Sequence, residues 1–234
     1  MANGFYKPFA CNVPMNTKAR HILALVLDVA TVIMVIIASI MMFNYGGNAL
    51  AVRGILFLRY FTVQSNMLLG AILLIALPFD VSLLLGKRNE SPLPIRVLNL
   101  VGTIGTTITM LTVLFFLGPA MGYGFMFSEA NLLFHLLIPL AGLIRVIFFE
   151  GKGDGLKWQA SFFGLIHLFG YGLFYLFNIA IHNGYGQADY DWYGFGTNGL
   201  GIGILAFALM LVGAFFLTWG LLILQRKVRK FMIQ

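Results

Sequence analysis

A run of polar side chains interrupts one of the apolar stretches of this sequence. The run consists of Arg59, Thr62, Gln64, Ser65 and Asn66. A polar group in hydrocarbon costs free energy unless it finds a partner, so this run requires a structural or functional reason. At about 100° per residue, Arg59, Thr62 and Asn66 share one helical face. We therefore expect that face to look into protein or water, and we interpret Thr62 as a candidate nucleophile.

A threonine hydroxyl attacks only when a base takes its proton, and histidine is the usual base. A later apolar stretch carries Asn131, His135 and Pro139 at intervals of four residues. Counting residues from the outer ends of the two stretches places Thr62 and His135 both roughly 10 Å below the membrane boundary. The sequence therefore predicts a Thr62–His135 catalytic pair, and Pro139 predicts a kink beside it. The alternative for Thr62 is a structural bond to its own helix backbone.

Further polar side chains are candidates for binding or support. Asn66 and Gln64 are candidate oxyanion donors, and Asn131 lies on the same helical face as His135. Arg59 either binds an anionic substrate group or pairs with Glu129, and we favour the ion pair. A third polar stripe comprises His167, Tyr171, Tyr175 and Asn178.

Asp28 falls at nearly the same depth as His167, and we expect the two to form a deeper pair. That pair has either a structural or a catalytic role. The glycines of the segment from Gly102 to Gly105 favour close helix packing.

No metal or cofactor site is predicted. The sequence holds a single cysteine, which excludes an intrachain disulfide and any CxxC-type site. His135 and His167 differ in depth by roughly 10 Å and do not belong to a HExxH motif.

The elements that must position these residues are membrane helices. The sequence is 60% hydrophobic and 10% charged, and its mean hydropathy is +0.90. These values exclude a soluble globular domain and predict an all-α polytopic membrane protein with a single domain over residues 1–234. The predicted spans are about His21–Phe43, Ile55–Pro78, Val97–Gly118, Glu129–Phe149, Trp158–Ile181 and Gly199–Leu224.

The net charge of +7 reflects membrane orientation and not nucleic-acid binding, because the cations lie between the apolar runs. Six crossings place most cations on one side, so we expect both termini to be cytoplasmic, with an N-terminal segment 1–20 and a basic tail 225–234. We interpret the tail as a solvated anchor for anionic head groups. The aromatic last outer loop is either an interfacial belt or a substrate lid.

Three features of the sequence resemble a known family. These are Tyr60-Phe61-Thr62, Phe134-His135-Leu136-Leu137-Ile138-Pro139, and a fifth span that ends in an aromatic loop before a Gly-rich sixth span. Over about Arg20 to Lys230 the sequence resembles the androgen-induced protein and ADTRP family of six-span membrane proteins. The resemblance is greatest to bacterial relatives with a Tyr-Phe-Thr-x-Gln-Ser-Asn motif.

The resemblance implies a threonine hydrolase that cleaves fatty acid esters of hydroxy fatty acids within the membrane. The family threonine corresponds to Thr62 and the family histidine to His135. The segment from Gln64 to Asn66 departs from the animal members, so the substrate and the acyl acceptor stay open. The expected partner is a lipid substrate from the bilayer, and the expected location is a bacterial plasma membrane. The alternative is a small transporter or lipid-binding protein in which Asp28 and His167 relay protons.

Overall fold

A computed structural model describes residues 17–45, 54–150 and 155–233 of the chain. Within these ranges the chain is helical and contains no β-strand. Most of the predicted N-terminal segment 1–20 lies outside the described residues. Three of the cations from which the membrane orientation is predicted also lie outside the described residues: Lys7, Arg53 and Lys152.

Six helical stretches of the described chain are long and apolar enough to cross a membrane, as the sequence predicts. We call them spans 1 to 6, and they cover Thr17–Asn44, Phe61–Leu84, Leu93–Met121, Glu129–Phe149, Trp158–His182 and Leu200–Lys230. Their lengths of 21 to 31 residues suffice for a hydrocarbon core of about 30 Å. The fold is thus typical of an integral membrane protein.

The described ranges contain nine α-helices, with shorter 3₁₀ and π turns between them. The α-helices are α1 (Thr17–Tyr45), α2 (Phe61–Leu84), α3 (Leu93–Thr112), α4 (Gly118–Met121), α5 (Tyr123–Met126), α6 (Glu129–Leu132), α7 (Ile138–Ile144), α8 (Ile166–His182) and α9 (Leu200–Ile233). The 3₁₀ turns are Gly54–Arg59 and Trp158–Leu165, and the π turns are Val113–Leu117, Leu133–Leu137 and Arg145–Phe149.

Two of the π turns have a proline as their local cause. Pro119 and Pro139 each follow two residues after the end of a π turn. Proline has no N–H to donate to the carbonyl four residues earlier, so the regular ladder is interrupted there. The N–H groups of Gly118 and Ile138 instead reach the carbonyls of Val113 and Leu133, five residues back. The predicted distortion beside His135 is thus a π turn, a feature often found at functional sites.

Span 3 is the most buried of the six and contacts spans 2, 4, 5 and 6. Its glycines allow this close approach. A Cβ atom at Gly102 would lie 3.1 Å from the Leu69 backbone, and one at Gly105 would lie 3.1 Å from Cβ of Ser65. The predicted close packing of this segment is confirmed. The outer surface of the bundle instead exposes large apolar side chains such as Phe115 and Phe177, as contact with lipid requires.

Candidate functional site

Thr62 is the second residue of α2 and its side chain is half-buried. The helix begins here because Tyr60 has an extended backbone after the 3₁₀ turn Gly54–Arg59. The Tyr60 side chain does not cap the helix. The first N–H groups of an α-helix have no partner within the helix and carry its positive dipole end. Thr62 therefore places a hydroxyl beside backbone donors that favour negative charge.

The hydroxyl of Tyr193, from the loop between spans 5 and 6, lies at the first turn of α2. Its oxygen accepts a 2.9 Å hydrogen bond from the Phe61 N–H and also interacts with the Thr62 N–H. The residue as a whole is 37% exposed, yet its hydroxyl end points inward. Burial of that end raises the pKa of Tyr193 to about 12, while the two N–H groups act in the opposite direction. A neutral oxygen thus lies where two amide N–H groups converge.

Asn66 joins the turn of α2 that carries Thr62 to the turn of span 4 that carries His135. Its Nδ2 donates to the Thr62 carbonyl at 2.7 Å and to the Phe134 carbonyl at 3.1 Å. Asn66 is fully buried, and its Oδ1 accepts no hydrogen bond within the described residues. Ser65 adds a 3.1 Å bond to the same Thr62 carbonyl. The two predicted catalytic residues therefore sit on adjoining, interconnected turns.

His135 lies inside the π turn Leu133–Leu137 and is 8% exposed. Its Nδ1 is 2.9 Å from the carbonyl oxygen of Met126. A carbonyl oxygen only accepts hydrogen bonds, so the proton of the neutral ring is on Nδ1 and Nε2 is the basic nitrogen. A histidine oriented in this way through Nδ1 has the tautomer that a general base requires.

The predicted equal depth of the two residues is wrong by about one helical turn. Because Asn66 reaches the Phe134 carbonyl, Asn66 and not Thr62 lies at the level of His135. Thr62 is four residues nearer the start of span 2, which is about 6 Å at the rise of an α-helix. No hydrogen bond joins the Thr62 hydroxyl to the His135 ring among the residues that the structure covers. Asn131, one turn before His135, is buried at the start of span 4.

Arg59 does not pair with Glu129, so the favoured sequence interpretation is wrong on this point. Its guanidinium lies 5.1 Å from the ring centre of Tyr60 and 5.3 Å from that of Trp192. Nη2 donates to the Tyr60 hydroxyl at 3.0 Å, and the Arg59 carbonyl accepts from the Tyr171 hydroxyl at 2.7 Å. Aromatic faces therefore contact this cation in place of a carboxylate, and Glu129 stays exposed.

A cavity of about 570 Å³ lies on the other face of α2, between spans 2, 3 and 5. Its lining is mainly apolar, and three of the predicted supporting residues contribute to it: Gln64, His167 and Tyr171. Gln64 is also held by a 2.8 Å bond from Nε2 to the Leu58 carbonyl. The size and apolar lining suit an acyl chain. Thr62 and His135 do not line this cavity.

His167 and Asp28 do not meet, so the predicted deeper pair is wrong. The His167 ring stacks on Phe61 with ring centres 5.0 Å apart, and its Nε2 is buried without a hydrogen bond in the described chain. Asp28 instead binds Arg145, whose Nε donates to both of its carboxylate oxygens at 2.9 Å. The sequence interpretation assigned the wrong partner because residue counting cannot show which spans are neighbours.

Arg145 also binds Asp80, through Nη2 at 2.7 Å from Oδ1. Asp28, Asp80 and Arg145 are all at most 3% exposed, and they connect spans 1, 2 and 4. Arg145 and Asp80 were not identified from the sequence as partners of Asp28. The sequence does indicate such an ion pair, because all three are charged residues within apolar spans. Ending span 2 at Pro78 had placed Asp80 outside the membrane.

The same end of the bundle holds Glu150, which is 2% exposed just after span 4. Its Oε1 accepts from Asn99 Nδ2 at 3.2 Å. Burial raises the pKa of Glu150 to about 7, although the charges of Arg145, Arg96 and Arg229 oppose that shift. No group of three or more His, Cys, Asp or Glu residues in the described ranges is placed to hold a metal ion.

The fold defines the class of the molecule as a helical protein with six candidate membrane spans and buried polar sites at both ends of the bundle. Comparison with models of known families, with characterised proteins and with solved structures finds no match for this chain. Its function must therefore be argued from the sites themselves.

Proposed function

We propose that the protein is an intramembrane lipid-ester hydrolase in which Thr62 is the nucleophile and His135 the base. The observation that carries the proposal is the Asn66 amide, which fastens the Thr62 turn to the His135 turn through two carbonyls. A hydroxyl and an imidazole of suitable tautomer thereby project from adjoining turns of spans 2 and 4. In substrate-free enzymes, catalytic hydrogen bonds are often long and tighten only when the substrate binds.

The first chemical step is attack of the Thr62 hydroxyl oxygen on the ester carbonyl carbon while Nε2 of His135 takes the proton. The negative charge of the tetrahedral intermediate develops on the former carbonyl oxygen, which the first-turn N–H groups of α2 can receive. Collapse of the intermediate breaks the ester bond, and His135 returns the proton to the departing alcohol. Water then attacks the acyl-threonine with His135 again as base, which releases the fatty acid and restores Thr62.

Tyr193 has a role in this scheme because its hydroxyl oxygen occupies the place proposed for the oxyanion. Trp192 and Phe195 pack with it against Tyr175 of span 5. Asp191 organises the loop by accepting from the Gly186 and Gly196 N–H groups at 2.9 Å each. This arrangement favours the substrate lid over the interfacial belt, with Tyr193 leaving α2 when an ester binds.

Further support is the resemblance of the Tyr60-Phe61-Thr62 and His135 to Pro139 segments to the threonine hydrolase family. The proposed substrates are fatty acid esters of hydroxy fatty acids or related acyl lipids that arrive laterally from the bilayer. An acceptor other than water would make the same site an acyltransferase. We place the protein in a bacterial plasma membrane with both termini in the cytoplasm, because the cations concentrate at that end of the spans.

The test is covalent labelling of the purified protein with a fluorophosphonate probe, followed by mass spectrometry of the modified peptide. We expect the adduct on Thr62, its loss in Thr62→Ala and its retention in Thr62→Ser. We also expect slower labelling by at least about 100-fold in His135→Gln, as for loss of a general base. Thr218→Ala is the matched control, since Thr218 is a buried threonine on α9, the helix of span 6, whereas Thr62 and His135 belong to spans 2 and 4. Labelling that survives Thr62→Ala would refute the assignment.

A second candidate function is lipid binding or transport without ester cleavage. The observation that favours it is the cavity between spans 2, 3 and 5, which lies apart from Thr62 and His135. Gly170 lines this cavity, and a Cβ there would meet nothing within 4 Å. Gly170→Leu should therefore fill the cavity and reduce binding of a fluorescent fatty acid.

Gly213→Leu is its control, because Gly213 on α9 also has open space around it. Fatty-acid binding that responds to Gly170→Leu, together with no ester turnover and no labelling of Thr62, would favour this second function.

A further inference from the structure

Four arginines gather at the end of the bundle opposite Thr62, and we call them the arginine cluster: Arg20, Arg96, Arg226 and Arg229. Arg20 and Arg96 are each the fourth residue of a helix, α1 and α3 respectively. Arg226 and Arg229 belong to the last turns of α9. The Arg229 guanidinium is within range of direct charge interaction with the other three. Like charges repel, so such a gathering requires a counter-ion.

Several donors of this cluster are buried and make no hydrogen bond to the residues that the structure describes. They are Nε and Nη2 of Arg20, Nε and Nη2 of Arg96, and Nε of Arg226. Arg96 is 7% exposed, and its Nη1 makes a long 3.5 Å ion pair with the more exposed Glu90. A buried charged donor without an acceptor is destabilising by at least about 1–3 kcal/mol. An acceptor that reaches several of these donors at once would remove that cost.

The described carboxylates around the cluster do not balance it. Glu90 pairs with Arg96, and Glu150 interacts with Arg96 and Arg229. These two carboxylates against four guanidinium groups leave an excess of positive charge among the described residues. Asp28 and Asp80 are already bound to Arg145. Because Arg96 is buried and Arg20 and Arg226 are half-buried, this excess favours an anion from outside the described residues.

Two of the arginines are fixed in place, which distinguishes them from a solvated tail. Arg226 Nη2 donates to the Leu156 carbonyl at 2.6 Å, and Arg229 Nη2 donates to the Glu150 carbonyl at 2.8 Å. Arg229 is 5% exposed, so the expectation that this part of the tail is solvated is wrong. Gly155, at a φ of 74°, passes so close that a Cβ there would lie 3.2 Å from Nη1 of Arg229. The donors are thus held in position before any ligand binds, which lowers the entropic cost of binding.

We propose that the arginine cluster is a binding site for a single phosphate group. Guanidinium forks match the geometry of phosphate oxygens and bind them through paired N–H donors. The cluster lies at the ends of spans 1, 3 and 6, which is the level at which phospholipid head groups lie in a bilayer. The phosphate of a phospholipid and free inorganic phosphate share this chemistry. The site is separate from the one that contains Thr62, so the phosphate would be a second ligand of the protein.

The experiment measures thermal unfolding of the full chain in a non-ionic detergent by intrinsic tryptophan fluorescence. One arm adds inorganic phosphate at constant ionic strength, and a second adds short-chain phosphatidic acid with chain-matched diacylglycerol as its control. A Tm increase with phosphate, or with phosphatidic acid but not diacylglycerol, supports the proposal and identifies the source of the phosphate. No increase in either arm overturns it.

Variants then locate the site. Arg96→Gln and Arg20→Gln should each weaken phosphate binding by at least about tenfold, since each removes charge-assisted hydrogen bonds. Lys87→Gln removes one exposed charge at the same end and should leave the affinity unchanged. Equal weakening by Lys87→Gln would overturn the proposal, because net charge alone would then explain binding. Arg20 is half-buried, so its variant keeps the test available if Arg96→Gln does not fold.

Fluorophosphonate labelling of Thr62 in the same variants separates this site from the proposed hydrolase site. Loss of phosphate binding with unchanged labelling supports two separate sites. Loss of labelling in Arg20→Gln at unchanged Tm would contradict that separation.

Discussion

Replacement of Arg145 by methionine should be the most destabilising single substitution in the membrane interior of this protein. The Arg145 side chain is 3% exposed and binds the Asp28 and Asp80 carboxylates, which are 0% and 4% exposed. Methionine retains much of the apolar volume but leaves both carboxylates buried without their counter-charge. Breaking a buried ion pair by removing one partner costs about 3–5 kcal/mol. For a chain of this size that corresponds to a fall in Tm of about 6–20 °C.

Asp80→Asn should by contrast be nearly neutral, and this asymmetry is the sharper part of the prediction. Two carboxylates share one guanidinium, and Oδ2 of Asp80 is buried without a hydrogen bond in the described structure. Asparagine retains an acceptor oxygen for Nη2 of Arg145 and removes the excess negative charge. We expect the Tm to change by less than about 3 °C, which corresponds to about 1 kcal/mol or less.

Asp28→Asn should fall between these two variants. Nε of Arg145 bonds both oxygens of Asp28, and an amide offers only one acceptor, so the cost should be about 1–3 kcal/mol. The assay is tryptophan-fluorescence thermal unfolding in detergent, with Lys87→Gln as an exposed control. If Arg145→Met is as stable as the wild type, or if Asp80→Asn lowers the Tm as much as Arg145→Met, the proposal that Arg145 neutralises two buried carboxylates is refuted.

Three further predictions concern stability and labelling. Burial raises the pKa of Glu150 to about 7 from its ordinary value of 4.5, so the folded chain retains a proton that the unfolded chain releases. Stability of the wild type relative to Glu150→Gln should therefore fall as pH rises from about 4.5 to about 7, and parallel Tm curves would contradict this. Tyr193→Phe should accelerate fluorophosphonate labelling because it vacates the first turn of α2, and slower labelling would contradict the lid. Gly172→Ala should lower the Tm by overlap with the Phe207 ring, whereas Gly201→Ala, with open space around it, should not.

The six spans follow from the sequence because the lengths and hydropathy of the apolar runs are local properties. Helix ends were harder to predict. Pro78 was used as the end of span 2, yet α2 continues to Leu84 with Pro78 inside it. The start of α2 at Phe61 depended on the preceding 3₁₀ turn, and that shift removed the predicted equal depth of Thr62 and His135.

The residues at the site around Thr62 could be named from their types, but their partners could not. Asn66 was a candidate oxyanion donor, whereas its Nδ2 bonds two main-chain carbonyls. Arg59 finds aromatic faces contributed by a loop that lies more than a hundred residues away in sequence. The cavity beside Gln64 and His167 also depends on which spans are adjacent, and no periodicity reveals that.

The bond between Arg145 and the two aspartates has a consequence for biogenesis. Asp28 and Asp80 precede Arg145 by 117 and 65 residues. The two spans that carry these aspartates therefore leave the ribosome well before the arginine that neutralises the two carboxylates. Until span 4 emerges, their insertion must rely on the translocon, on protonation or on water. Nascent chains truncated ahead of Arg145 should therefore integrate poorly into a bilayer and be degraded, whereas chains that extend past it acquire a stable arrangement.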